Sequence, residues 1–187
     1  MRQIAPAVGW VTTSFVNVYF IGEPGGPWVL VDTGIAPFRP KIRAEAWRRF
    51  ACKPSAIILT HGHFDHAGSA RALAEEWHVP VYCGALELPY LTGRSEYPPA
   101  DPTVGGYLAN ASRFFPPGGR DVSPWIHDLP ENGVINELPD WRWLATPGHS
   151  PGHISLFRES DRVLLAGDAV ATANMDSYIG AITNAQT

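Results

Sequence analysis

Hydrophobic and polar positions change period several times along the chain, and the changes mark its elements. Phe15 to Ile21 (FVNVYFI) and Trp28 to Val31 (WVLV) are short runs rich in β-branched and aromatic residues, separated by the turn-forming EPGGP, which predicts two strands in a hairpin. From Pro40 to Phe50 the period lengthens. Ile42, Ala46, Trp47 and Phe50 fall near one helical face while Lys41, Arg43, Glu45 and Arg48 fall mostly elsewhere, the pattern of an amphipathic helix. The apolar run AIIL at 56–59 predicts a strand, and Ala67, Ala70, Leu73, Ala74 and Trp77 predict a second helix. VPVYC at 79–83 predicts a further strand, as do 141–146, 153–158 and 162–166. Strand and helix alternate, so the expected class is α/β.

The rhythm fails between Leu91 and Asn132, where PP, GG, PPGG, SP and LP elements follow one another. A Pro-stiffened insertion is expected there, and loops of this length in compact domains often serve function, here as a cover for the active site. At 187 residues and 45% hydrophobic, the chain suits one domain spanning 1–187 with a sizeable core. A net charge of −4, with no block of Lys or Arg, lacks the basic footprint that phosphate backbones require. Nucleic acid is therefore not an expected partner. No run of about 18 apolar residues occurs and the N-terminus has no signal-like segment, so neither a membrane partner nor secretion is expected and the location is read as cytoplasmic. Cys52 and Cys83 stand alone, without a C-x-x-C pair, and are read as free, mostly buried thiols.

The chemistry is concentrated where strands end. Thr60-His61-Gly62-His63-Phe64-Asp65-His66 follows the strand AIIL directly. Alternate residues of an extended segment point the same way, so His61 and His63 can grip one ion together. Asp65 and His66, turned away at the following helix start, can reach a second, because imidazole nitrogen and carboxylate oxygen suit zinc. Gly62 would permit the tight backbone between them. His149, in Thr146-Pro-Gly-His, and Asp168, in Ala166-Gly-Asp, each place one more ligand-type side chain at a strand end. Either residue alone would more often be structural, but together with the histidine loop they complete a shared site. His153 is assigned a supporting role, and His78 and His127 none.

H-x-H-x-D-H, then T-P-G-H-S-P-G-H, then G-D, all preceded by LVDTG, resembles the metallo-β-lactamase superfamily. The resemblance implies an αββα four-layer sandwich, two mixed sheets covered by helices, with the site at one sheet edge. By position, His61, His63 and His149 would bind a first ion, Asp65 and His66 a second, and Asp168 would bridge them. Asp32, in LVDTG, would support the loop from beneath. Two zinc ions are implied, with iron or manganese as alternatives. A hydroxide between the ions would attack the carbonyl of a small-molecule ester, thioester or lactone, with Asp65 orienting it. The glyoxalase II and lactonase branches are the nearer match, because of the Asp at 168.

The family's usual final His, well beyond the bridging Asp, has no counterpart before the chain ends at Thr187, and the C-terminal part of the fold is expected to be lacking. Three other readings stay open. A mononuclear iron persulfide dioxygenase would use His61, His149 and Asp168, a nucleic-acid-processing member is disfavoured by the acidic balance, and a non-catalytic module would hold one ion or none.

Overall fold

The computed structural model describes residues 1–98 and 121–170, together with the backbone of two further short strands. Seven strands form the main sheet in sequence order. β1 (Arg2–Ala5), β2 (Val8–Thr13), β3 (Val16–Gly22) and β4 (Trp28–Val31) make an antiparallel meander. β5 (Ala56–Ile58), β6 (Val81–Cys83) and β7 (Ile126–Asp128) continue it in parallel. Parallel neighbours need crossovers, and these are where the helices lie. α1 (Arg39–Phe50) joins β4 to β5, and α2 (Phe64–Ala67) with α3 (Ala70–Trp77) joins β5 to β6.

The four residues of β4 are all buried because the strand is covered on both faces. Trp28 and Leu30 meet the helices, packing with Ile42, Ala46 and Phe50 of α1 and Leu73 and Ala74 of α3. Val29 and Val31 point the other way, toward a second sheet. That sheet is antiparallel, in the order β10 (Val163–Leu165), β9 (Ile154–Arg158), β8 (Trp141–Ala145). Trp141, Ile154, Leu156 and Leu165 line its inner face. The described residues thus stack a helical layer on the mixed sheet and the mixed sheet on an antiparallel one, the α/β arrangement expected. Among the described residues the second sheet is antiparallel throughout rather than mixed. Two final strands, β11 (Thr172–Asn174) and β12 (Ile182–Asn184), pair antiparallel with each other.

Several expectations are corrected in detail. Trp47 is 69% exposed, because Ile42, Ala46 and Phe50 at i, i+4 and i+8 already define the buried stripe and Trp47 lies about 100° away from Ala46. The second helix is two, broken at Gly68–Ser69. A Cβ at Gly68 would stand 2.8 Å from the Gly34 carbonyl oxygen, so the backbones touch at that break. The N-terminal pair β1 and β2 was not foreseen. Nor were the short helix α4 (Leu88–Leu91), which ends where the stretch read as irregular begins, and β7, which lies within that stretch near its end; its centre, 99–120, lies outside the described residues. Cys83 is buried but Cys52 is exposed, and both are free thiols. No helix among the described residues is long and apolar enough to cross a membrane.

Candidate metal centre

Chain segments from both sheets converge at one edge of the sandwich. Thr60 ends the run after β5, and its carbonyl accepts a hydrogen bond from the Ile154 amide at the start of β9, 2.9 Å away. The sheets are thereby tied together beside the histidine loop. His61 and His63 come from the segment after β5, His66 from α2, His149 from the loop between β8 and β9, and Asp168 from the turn after β10.

Two groups of side chains have ligand atoms within 4.8 Å of one another: His61, His63 and His149, and His61, His66 and Asp168. His63 Nδ1 and His149 Nε2 are 2.9 Å apart. A tetrahedral zinc with bonds of about 2.0–2.1 Å spaces its nitrogens roughly 3.3 Å apart, so the pair needs only a small opening to share an ion. Asp168 stands between the groups, Oδ1 3.2 Å from His66 Nε2 and Oδ2 3.4 Å from His149 Nε2. One oxygen faces each group, as a bridging carboxylate requires. Asp65 belongs to neither group, although it lies within electrostatic reach of His66, Asp168 and His149. His61, His149 and Asp168 do not by themselves form a group among the described residues.

The residues fit metal ions on an observation independent of spacing. His61 Nε2 is buried without a hydrogen-bond partner, and a nitrogen so placed is costly unless something takes its lone pair; His66 Nε2, also buried, faces Asp168 Oδ1. Their opposite nitrogens are engaged. His61 Nδ1 lies 3.0 Å from Thr60 Oγ1 and His66 Nδ1 lies 2.8 Å from Asp32 Oδ2, which orients both rings with Nε2 toward the site.

Asp32 is 1% exposed and also accepts from the Thr60 amide at 2.8 Å and the Thr60 hydroxyl at 2.9 Å. Its φ of 60° is left-handed, a conformation that Asp tolerates better than most residues. Thr33 adds a second hold on the same helix start, its amide and hydroxyl both donating to the His66 carbonyl at 2.7 Å.

His153 has no nitrogen left for a metal. The Asp168 amide donates to its Nε2 at 3.1 Å, so the proton sits on Nδ1, which donates to Thr146 Oγ1 at 2.8 Å. Thr146 then donates to Ser155 Oγ at 3.0 Å, and Ser155 to the Ala166 carbonyl at 3.2 Å. The series begins and ends on the turn that carries Asp168.

Burial, reinforced by the neighbouring imidazoles, holds His61 well below its ordinary pKa and brings His63 to about 4. Burial likewise lowers His149. Burial would lower His66 too, but Asp32 and Asp168 outweigh it and raise His66 well above its ordinary value. Burial raises the Asp168 carboxyl, and His66, His149 and His153 overcome that to leave it at about 2. Asp65 is raised, chiefly by burial.

One buried acid escaped the reading of the sequence. Glu87 is fully buried, and Gly62, Tyr97, Ser150 and Gly152 all donate to it. Its signal was a charged residue inside the apolar run ALELPYL, where a solvent-facing Glu would not be expected. Gly62 itself does not need a special φ. A Cβ there would stand 2.5 Å from the Tyr97 hydroxyl and 2.9 Å from Leu91 Cγ, so glycine is required for close approach.

A sandwich of these layers with a histidine- and aspartate-lined edge defines a metal-binding α/β protein. The metallo-β-lactamase superfamily model matches residues 11–186, and the chain belongs to that superfamily. It is 44% identical over 189 aligned positions to the probable metallo-hydrolase YflN of Bacillus subtilis (strain 168), covering 98% of this chain and 72% of that protein. It is 30% identical to the hydroxyacylglutathione hydrolase GloC of Haemophilus influenzae, over 61% of this chain and 49% of GloC. Among solved structures, the BLEG-1 B3 metallo-β-lactamase superposes with a TM-score of 0.64 at 26% identity, covering 88% of this chain and 73% of that one.

Proposed function

We propose that this chain is a metal-dependent hydrolase that cleaves a small-molecule ester, thioester or lactone at its carbonyl carbon. The observation that carries the reading is the pair of ligand groups sharing His61, whose buried Nε2 has no hydrogen-bond partner. GloC is named for hydrolysing an acylated glutathione, which supports keeping thioesters in the substrate class.

His61, His63 and His149 would hold a first ion, His66 and Asp168 a second with Asp65 beside it, and zinc is the ion their nitrogen and carboxylate donors suit. When bound, such ions polarise a carbonyl oxygen and lower the pKa of water toward neutrality. The remaining work belongs to side chains. Asp65, outside both ligand groups but within electrostatic reach of His66, Asp168 and His149, orients the attacking water and accepts its proton. Asp32 holds one His66 proton on Nδ1, so that loss of the other would turn an Nε2 lone pair toward the ion.

The test combines elemental mass spectrometry of protein purified without added metal or chelator with assays on an aryl ester, an acyl thioester and a γ-lactone. Close to two zincs per chain and turnover of at least one substrate are expected. Asp65→Ala should lower kcat by roughly 10²–10⁴-fold while leaving the fold intact. A fully loaded protein inert toward all three classes would overturn the reading, and iron with oxygen consumption would replace it by a dioxygenase.

A further inference from the structure

Glu87 occupies a position that the proposed reaction does not explain. It lies at the end of a short helical turn after β6, wholly buried, and among the described residues it forms no ion pair with Lys, Arg or His. A buried carboxylate without a cation in contact is retained only where hydrogen bonds satisfy both oxygens. Here they do, and the donors are divided. Oε2 accepts from the Gly62 amide at 2.9 Å and from the Tyr97 hydroxyl. Oε1 accepts from Ser150 Oγ at 2.7 Å and the Gly152 amide at 2.8 Å.

Gly62 lies between His61 and His63, and Ser150 follows His149. One carboxylate therefore grips, with separate oxygens, the two loops that must meet for His61, His63 and His149 to converge. The packing agrees. A Cβ at Gly152 would stand 2.6 Å from the Glu87 nitrogen, so this loop lies directly against the residue that holds it. Tyr97 adds a third attachment, because its hydroxyl also accepts from the Gly62 amide at 2.9 Å and its ring lies 4.5 Å from that of His63.

We propose that Glu87 is a positioning residue that fixes the spacing of the histidine loop and the His149 loop, and so sets the affinity and geometry of the site for its first metal ion. The inference rests on the reading of these histidines as ligands, not on the identity of the substrate. A carboxylate is required, because it alone accepts at both ends. An amide would turn an N–H toward one pair of donors and could hold only one loop.

The experiment compares the parent protein with Glu87→Gln by zinc competition against a chromophoric chelator, the visible spectrum of the cobalt-substituted form, and melting of the metal-free form. Binding of the first ion roughly 10–100-fold weaker, with altered cobalt bands, is expected. Ser150→Ala and Tyr97→Phe each remove one donor with little change of shape, and should shift affinity and spectrum in the same direction by less. They carry the test if Glu87→Gln does not fold. Loss of melting temperature alone, with affinity and cobalt spectrum as in the parent, would make Glu87 merely structural and overturn the proposal. A parent that binds ions but hydrolyses none of the substrate panel defeats the proposed reaction and leaves this comparison intact. A parent that binds no ion defeats both.

Discussion

At the scale of single residues, the two ligand groups differ in how they hold protons. His63, at about 4, and the lowered His61 and His149 are neutral at pH 7, so the first ion meets free lone pairs. His66 is raised by the two carboxylates that flank it. In the metal-free protein its stabilising contribution is complete below the unfolded value of about 6.5 and is lost as pH rises through the higher folded value. An ion entering between His66 and Asp168 must displace that proton. Calorimetric titration in buffers of different ionisation enthalpy should therefore find almost no proton release with the first ion and close to one proton with the second. Affinity for the second should rise with pH until the raised folded pKa of His66 is passed, and level off above it. Equal release at both steps would contradict the assignment. Asp32→Asn tests the same pair from below. Asn tolerates the left-handed backbone, but its amide no longer offers two acceptor oxygens to Thr60 and His66. Second-ion affinity should fall roughly 10-fold or more while circular dichroism stays unchanged.

At the scale of elements, legibility followed burial and periodicity. The run WVLV and the stripe of Ile42, Ala46 and Phe50 are covered on the faces that their spacing dictates, and both were readable. β1 was not, because RQIA is a largely exposed edge strand whose pattern carries no alternation. β7 was hidden because IHD is short and polar, and only its parallel pairing with β6 makes it a strand. Trp47 departs from its expected face because its angle on the helix, not its hydrophobicity, sets its exposure. Replacing it should reveal the difference. Trp47→Ala should change stability by no more than about 0.5 kcal/mol, whereas Ile42→Ala should cost about 2–5 kcal/mol, as read by urea denaturation. That His61, His63, His66, His149 and Asp168 would gather was legible, since ligand types at H-x-H-x-D-H spacing announce themselves, whereas Asp65 belongs to neither group. Glu87 did not announce itself, because the four donors it holds come from 62, 97, 150 and 152, and nothing local predicts their meeting.

At the scale of the whole molecule, the ligand groups draw from both sheets, His61, His63 and His66 from beyond β5 and His149 and Asp168 from the ends of β8 and β10. Ions held there would bond the sheets to one another, and binding free energy would become folding free energy. Stripping the metals should lower the melting temperature, and stability should recover by about 2.7 kcal/mol when free zinc reaches 100 times its dissociation constant. The chain spans 72% of YflN and about half of GloC, so the comparison is best made on this chain itself.

The hydrogen bonds through His153 have one further consequence. They run in a single sense from the Asp168 amide through the imidazole and two hydroxyls to the Ala166 carbonyl, and the amide that starts them can neither rotate nor ionise. The tautomer of His153 is thus dictated by the main chain. Its lone pair is already spent on that amide, so His153 is not placed to serve as a relay station for protons.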